Sequence, residues 1–331
     1  MKIRRPGAPL ALIATLAIGL SVAACGSSSS SKSASGSSAG SSGSSTSSGS
    51  SAPIVAVGAE NEYADVISQI GGKYVKVSAI LSNPNTDPHT FESSPSVAQT
   101  VSQAKLIVQN GVGYDDFMSK IESASPNSSR KVIDVQKLLG LPDDTANPHL
   151  WYSPRTMPAV AKELVSDLSA LEPSHAAYFK ANETKFDQSL QPWLTALTQF
   201  PQKYPNTTVA TTEPVADYML QAAHIDNLTP FSLQADIMND NDLAPQAVSA
   251  QNALFSGHKA KVFVYNQQVT DTITQTFLKA AHSAGVPVVG VYETMPTPGY
   301  TYQSWMMAEL KAIEKAVTDK TSTEKLGGAS G

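Results

Sequence analysis

The chain has 331 residues, with 23 Lys and Arg against 28 Asp and Glu and a formal net charge of −5. Residues from about 53 onward hold no basic run, which argues against nucleic acid as a partner, and no apolar stretch there reaches membrane-spanning length. That region is long enough for one large or two medium domains. With one cysteine in the chain, no internal disulfide can form, so the core must hold by packing alone.

At the N-terminus Lys2, Arg4 and Arg5 precede "APLALIATLAIGLSVAA", an apolar stretch of small residues too short and too weakly flanked to span a membrane. Residues 1–24 read as a signal peptide. The stretch ends in "SVAAC", which resembles a bacterial lipobox. That resemblance implies cleavage before Cys25, lipidation of its thiol and attachment to membrane lipid. The alternative is an ordinary secretory signal with a stray cysteine. The rest of 25–52 is almost all Ser, Gly and Ala. Such a segment cannot bury enough apolar surface to offset chain entropy and is expected to be a disordered tether. Flexible-chain scaling gives it a mean span of roughly 30 Å.

From residue 53 strands and helices alternate. "PIVAVGA" is a short apolar strand, "ENEYADVISQIGG" a helix ended by glycine, and "YVKVSAIL" alternates like a strand. A helix over 94–104, a strand over 105–111, a helix near 114–123 and a strand over 131–135 follow. The strands are apolar, as in an α/β layer with a mostly parallel sheet. Residues 156–204 carry no strand signal. Their apolar residues recur at three and four, which predicts two helices split near Pro173, the second long although Pro192 lies inside it. The α/β rhythm then returns. Strands are expected at 207–212, 260–266 and 286–293. Helices are expected from Pro214, over 243–257 and over 270–285, with a last one through "SWMMAELKAIEKAV". The expected fold class is α/β with two lobes, 53–155 and 205–317. Each is a mostly parallel sheet flanked by helices, joined by the helical segment 156–204, with the site in the cleft between them. Residues 318–331 read as a flexible tail.

Two loops draw attention among only six histidines: "NPNTDPHTFESSPS" with His89 and "NPHLWYSP" with His149. Proline stiffens each loop, which lowers the entropy cost of gathering ligands, and imidazole suits Zn, Fe, Mn, Cu and Ni. A lone His beside Pro is more often a turn residue, but both loops fall at strand ends of one α/β layer, where ligands bind. Two carboxylates fall at strand ends of the second lobe. Glu213 precedes Pro214, where it could instead cap a helix. Glu293 follows the last strand, where it could be a solvated loop carboxylate. His224 is expected to cap a helix C-terminus. His175 and His282 are expected on helix surfaces, and His258 in a turn after Gly257. The Trp and Met of "SWMMAEL" read as core.

The lipobox, "DPHTFESSPS", "NPHLWYSP", "TTEPVADYML" and "GVPVVGVYE" come in the order found in the metal-binding lipoproteins of ABC-type importers. The chain resembles that cluster A-I family, which includes zinc- and manganese-capturing proteins, from about 54 to 317. The resemblance implies four ligands: His89, His149, Glu213 and Glu293. Glu213 stands where zinc-type members often carry His, and Glu293 where Asp is more usual, with Tyr292 beside it. The His-rich, acid-rich loop of many zinc importers is missing between the two Pro-His motifs. The implied function is extracytoplasmic capture of Mn²⁺ or Zn²⁺, or Fe²⁺, by an anchored monomer. The ion would pass to an ABC permease in the membrane without catalysis. Two imidazoles and two carboxylates would neutralise a +2 ion. Carboxylates lean the site to manganese, while the Irving–Williams order leans it to zinc. The rival readings are an extracytoplasmic metal-dependent hydrolase using the same residues and a surface adhesion protein.

Overall fold

A strand covered on both faces must be apolar at nearly every position, because successive side chains point to opposite sides. Strand β1 (Ile54–Glu60) meets that demand: Ile54 and Ala56 enter one core, Val57 and Ala59 another. The computed structural model describes residues 52–327, apart from 86 and 297. The signal peptide, Cys25 and nearly all of the expected tether lie outside the described residues.

After β1 come α1 (Asn61–Gly71), β2 (Val75–Leu81), α2 (Pro95–Gln103), β3 (Leu106–Gln109), α3 (Asp116–Ala124), β4 (Lys131–Asp134) and the short α4 (Val135–Leu138). The four strands are parallel, in the order β2-β1-β3-β4. Two helices follow, α5 (Thr156–Leu171) and α6 (Ala176–Lys203), divided at Pro173. Helix α6 runs unbroken through Pro192 and Pro201. Each proline costs about 3 kcal/mol in a helix interior. The buried row Phe179, Phe186, Leu190, Trp193, Leu197 and Phe200 recurs at helical spacing and offsets it.

The second lobe repeats the first. Strands β5 (Thr208–Thr211), β6 (Asp226–Asn227), β7 (Val262–Asn266) and β8 (Val288–Val291) are parallel in the order β6-β5-β7-β8. Helices α7 (Asp217–Ala222), α8 (Phe231–Met238), α9 (Pro245–Ser256), α10 (Thr272–Ser283) and α11 (Tyr302–Asp319) flank them. In both lobes the first strand lies between the second and third. The winding reverses there, and ligands of open parallel sheets bind beyond the carboxyl ends of strands at such points. One apolar core joins the lobes to the linking helices. It contains Val66 of α1, Leu164 of α5, Trp193 of α6, Val264 of β7, Val289 of β8 and Trp305 of α11.

The two-lobe α/β reading therefore holds, with corrections in detail. The helix expected from Pro214 starts at Asp217, with Ala216 in the N-cap place and no side-chain cap. Helix α8 was not expected; eight residues are too few to show a clear period. The part of the expected tail that is described is exposed or half-buried but carries regular structure. Helix α11 reaches Asp319, and Thr323 pairs in parallel with Val289. Gly290 makes room for it, since a Cβ there would lie 1.9 Å from the Glu324 carbonyl oxygen. No helix among the described residues is long and apolar enough to cross a membrane.

Candidate metal centre

Both Pro-His loops are built the same way. Asp87 Oδ1 accepts the backbone N–H of His89 at 2.8 Å, and Asn147 Oδ1 accepts that of His149 at 3.0 Å. An Asx side chain closing a turn over an intervening proline fixes the loop with little freedom left. His89 sits in a single 3₁₀ turn (Pro88–Thr90) after β2. His149 precedes another (Leu150–Tyr152) after α4.

The two loops aim both imidazoles at one atom. His89 Nε2 and His149 Nε2 each lie 3.2 Å from Glu293 Oε2, and Tyr114 donates its hydroxyl to that oxygen at 3.0 Å. The other oxygen of Glu293 accepts from Asn266 Nδ2 at 2.7 Å. The same amide donates to Glu213 Oε1 at 3.2 Å, while Glu213 Oε2 is buried without a hydrogen-bond partner. His149, Glu213 and Glu293 are buried, and the His89 side chain is 26% exposed. The cleft opens on His89, where Asp87 and Thr90 face Asp240 and Asp271 across it.

Shells behind these groups hold them in place. His149 Nδ1 lies 2.8 Å from Asn147 Oδ1. That oxygen also accepts the His149 N–H, and Asn147 Nδ2 donates to the Pro214 carbonyl at 2.8 Å. Two backbone groups thus fix the amide's orientation, so Nδ1 carries a proton and Nε2 faces the cleft. Gln268 Oε1 accepts the backbone N–H groups of Glu293 and Thr294 at 2.7 and 2.8 Å, anchoring the Glu293 loop. Asn61 clamps the same loop from the first lobe through Met295.

Charge follows from this packing. Burial opposes ionisation of Glu293, yet the His149 and His89 imidazoles that face its Oε2 outweigh it and hold the carboxyl well below the usual range. Burial pulls the His149 imidazole down, and Glu293 opposes this only in part. Burial also pulls on His89, but Glu293 and Asp87 carry it to a net rise. Burial, then the charge of Glu293, raises Glu213. Two nitrogen donors and a carboxylate oxygen converging on one largely buried point suit a divalent transition metal ion.

Of the four residues expected, His89, His149 and Glu293 have ligand atoms all within 4.8 Å of one another. Glu213 is outside that group and reaches it through Asn266. The other histidines are elsewhere. His224 closes α7 with φ +52°, as expected of a cap, and His258 has φ +50° in its turn. His175 stacks on Tyr74 with centroids 3.7 Å apart, and His282 pairs with Glu324 at 3.2 Å. Sequence reasoning missed Tyr114, Asn147, Asn266 and Gln268. For Asn147 a signal was present, since both loops read Asx-Pro-His.

The chain spans under half the length of the curated relatives it matches. One is the manganese-binding lipoprotein MntA of Bacillus subtilis, 27% identical over 137 residues, covering 40% of this chain and 44% of that protein. Another is the manganese ABC transporter substrate-binding lipoprotein PsaA of Streptococcus pneumoniae, 24% identical over 146 residues, covering 40% and 47%. Among solved structures, the periplasmic zinc binding protein TroA from Treponema pallidum shares the fold with a TM-score of 0.69 and 17% identity. It covers 80% of this chain and 99% of that one. A Mn-bound periplasmic metal binding protein from Candidatus Liberibacter asiaticus gives 0.65 and 20% with the same coverage. The family model described as ZnuA, zinc-uptake complex component A periplasmic, matches residues 57–316, most of the chain, and the protein belongs to that family.

Proposed function

We propose that this protein captures a divalent transition metal ion outside the cytoplasm and delivers it to an ABC-type permease, with His89, His149, Glu213 and Glu293 as ligands. The observation that carries this reading is the convergence of both histidine Nε2 atoms on one oxygen of Glu293. The ion replaces the proton shared within that cluster, and the two carboxylates balance its charge. Mn²⁺ and Zn²⁺ are the first candidates, given the names of the relatives, with Fe²⁺ third. Four protein ligands fill a tetrahedral shell and leave no position for a catalytic water, so we read the protein as a carrier and not as a hydrolase.

Equilibrium titration with Mn²⁺ and Zn²⁺ tests the assignment. One ligand of four carries about 3 kcal/mol, so His89→Ala and His149→Ala are each expected to weaken binding about a hundredfold. His224→Ala is expected to leave it unchanged, and equal losses from all three would sink the assignment. The protein acts as a monomer anchored to membrane lipid through Cys25, because stable attachment takes more than one acyl chain and a lipobox cysteine provides it. Cys25→Ser is expected to move the full chain from the membrane fraction to the soluble one. A variant still sedimenting with membranes would remove the anchor from this reading.

A further inference from the structure

The two carboxylates of the centre share one amide. Asn266, the last residue of β7, is held at both ends. Its N–H donates to Thr212 Oγ1 at 3.0 Å, and its Oδ1 accepts the backbone N–H of Gln268 at 3.0 Å. A backbone donor on Oδ1 fixes which end of the amide is nitrogen. The two Nδ2 hydrogens then go one to each carboxylate, Glu293 Oε1 at 2.7 Å and Glu213 Oε1 at 3.2 Å. Asn266 is 1% exposed, so water does not compete for those bonds.

What remains for an ion is one oxygen of each carboxylate. Glu293 Oε2 faces both imidazoles and accepts from the Tyr114 hydroxyl on one side only, and Glu213 Oε2 is buried and unpartnered. We infer that Asn266 is a specificity-determining positioning residue. By occupying Oε1 of both Glu213 and Glu293, it keeps each carboxylate to a single metal contact and so favours a four-coordinate ion such as Zn²⁺ over one that needs more oxygens, such as Mn²⁺. The chemistry is general. Zn²⁺ is content with four ligands, while ions that prefer oxygen-rich shells gain when a carboxylate binds through both oxygens. This inference rests on the proposed capture function.

The test is the ratio of zinc to manganese dissociation constants in the parent, Asn266→Ala and Asn266→Ser, with metal-free melting temperatures measured alongside. Asn266→Ala frees both Oε1 atoms and is expected to shift the ratio towards Mn²⁺ by at least about tenfold, the worth of one hydrogen bond to a charged group. Serine keeps a single donor, and its shift is expected between parent and alanine. It also carries the test if the alanine variant does not fold. X-ray absorption of the manganese-loaded variants is expected to show more oxygen neighbours than the parent. A lost hydrogen bond that merely loosens the fold would weaken both metals in parallel, and an unchanged ratio in the folded variants overturns the inference. His149→Ala separates the two layers: if it binds both ions as the parent does, the capture reading itself has failed.

Discussion

The two lobes carry the same four-stranded parallel sheet in the same winding order, yet they bring opposite chemistry to the cleft. The first contributes nitrogen, from loops beyond its edge strands β2 and β4. These are stiffened by local Asx-Pro-His turns. The second contributes oxygen, from Glu213 after β5 and Glu293 after β8, held by side-chain amides that reach across neighbouring strand ends. The topology decides where a ligand sits, and the residues at the strand ends decide what it is. Of the four proposed ligands only His89 is exposed, so on that reading an ion would meet nitrogen at the mouth and carboxylate on the floor.

The largest expected effect tests the seam that lets two such unlike lobes act as one body. The hydroxyl oxygen of Tyr152, just past the His149 loop, lies 2.7 Å from both Glu309 Oε2 and the Tyr292 carbonyl oxygen. One hydroxyl proton cannot serve two acceptors, so the arrangement is complete when Glu309 is itself protonated. Trp305 Nε1 donates to its other oxygen at 2.7 Å. Burial pushes Glu309 up to about 8 from an ordinary 4.5. Between those values the unfolded chain has lost this proton and the folded chain retains it, so stability falls as pH rises through that window and levels off above it. Glu309→Gln keeps the shape and the donor facing Tyr152 but has nothing to titrate. From pH 5 to pH 8 the unfolding free energy of the metal-free parent is expected to drop by about a few kcal/mol more than that of the variant. Burial likewise pushes Asp115 up to about 7 and raises Glu60, Glu62 and Glu213, so both proteins keep a shared slope that cancels in the comparison. Equal slopes would mean that Glu309 is ionised in the fold and that the seam is built on charge.

A smaller effect sharpens the contrast within the nitrogen-bearing lobe. Asn147 holds both the backbone and the ring of its histidine, whereas the Asp87 carboxylate reaches the His89 backbone N–H. Groups that orient a metal-bound imidazole are worth about 10–100-fold in affinity. Asn147→Ala is therefore expected to weaken zinc binding by that factor while leaving the metal-free melting temperature within a few degrees. An affinity equal to the parent's would show that the stiff loop alone aims the ring.

Much of this was legible in the chain itself. Apolar runs bounded by turn residues placed most of the strands, three- and four-spaced apolar residues placed α5 and α6, and the two Pro-His loops marked the imidazoles, because each of these signals lies within a dozen residues. What the tertiary structure alone decided is the company those residues keep. Tyr114 meets Glu293 across 179 positions, Asn266 meets Glu213 across 53, and Tyr152 meets Glu309 across 157. The closing residues around Thr323 pack on β8 only because Gly290 leaves them room. Before folding, Asn266, Gln268 and Tyr114 are ordinary polar residues near strand ends, indistinguishable from those that face water. Parallel sheets bring strand ends from distant parts of the chain to one edge, and only there does an amide between two carboxylates acquire a role.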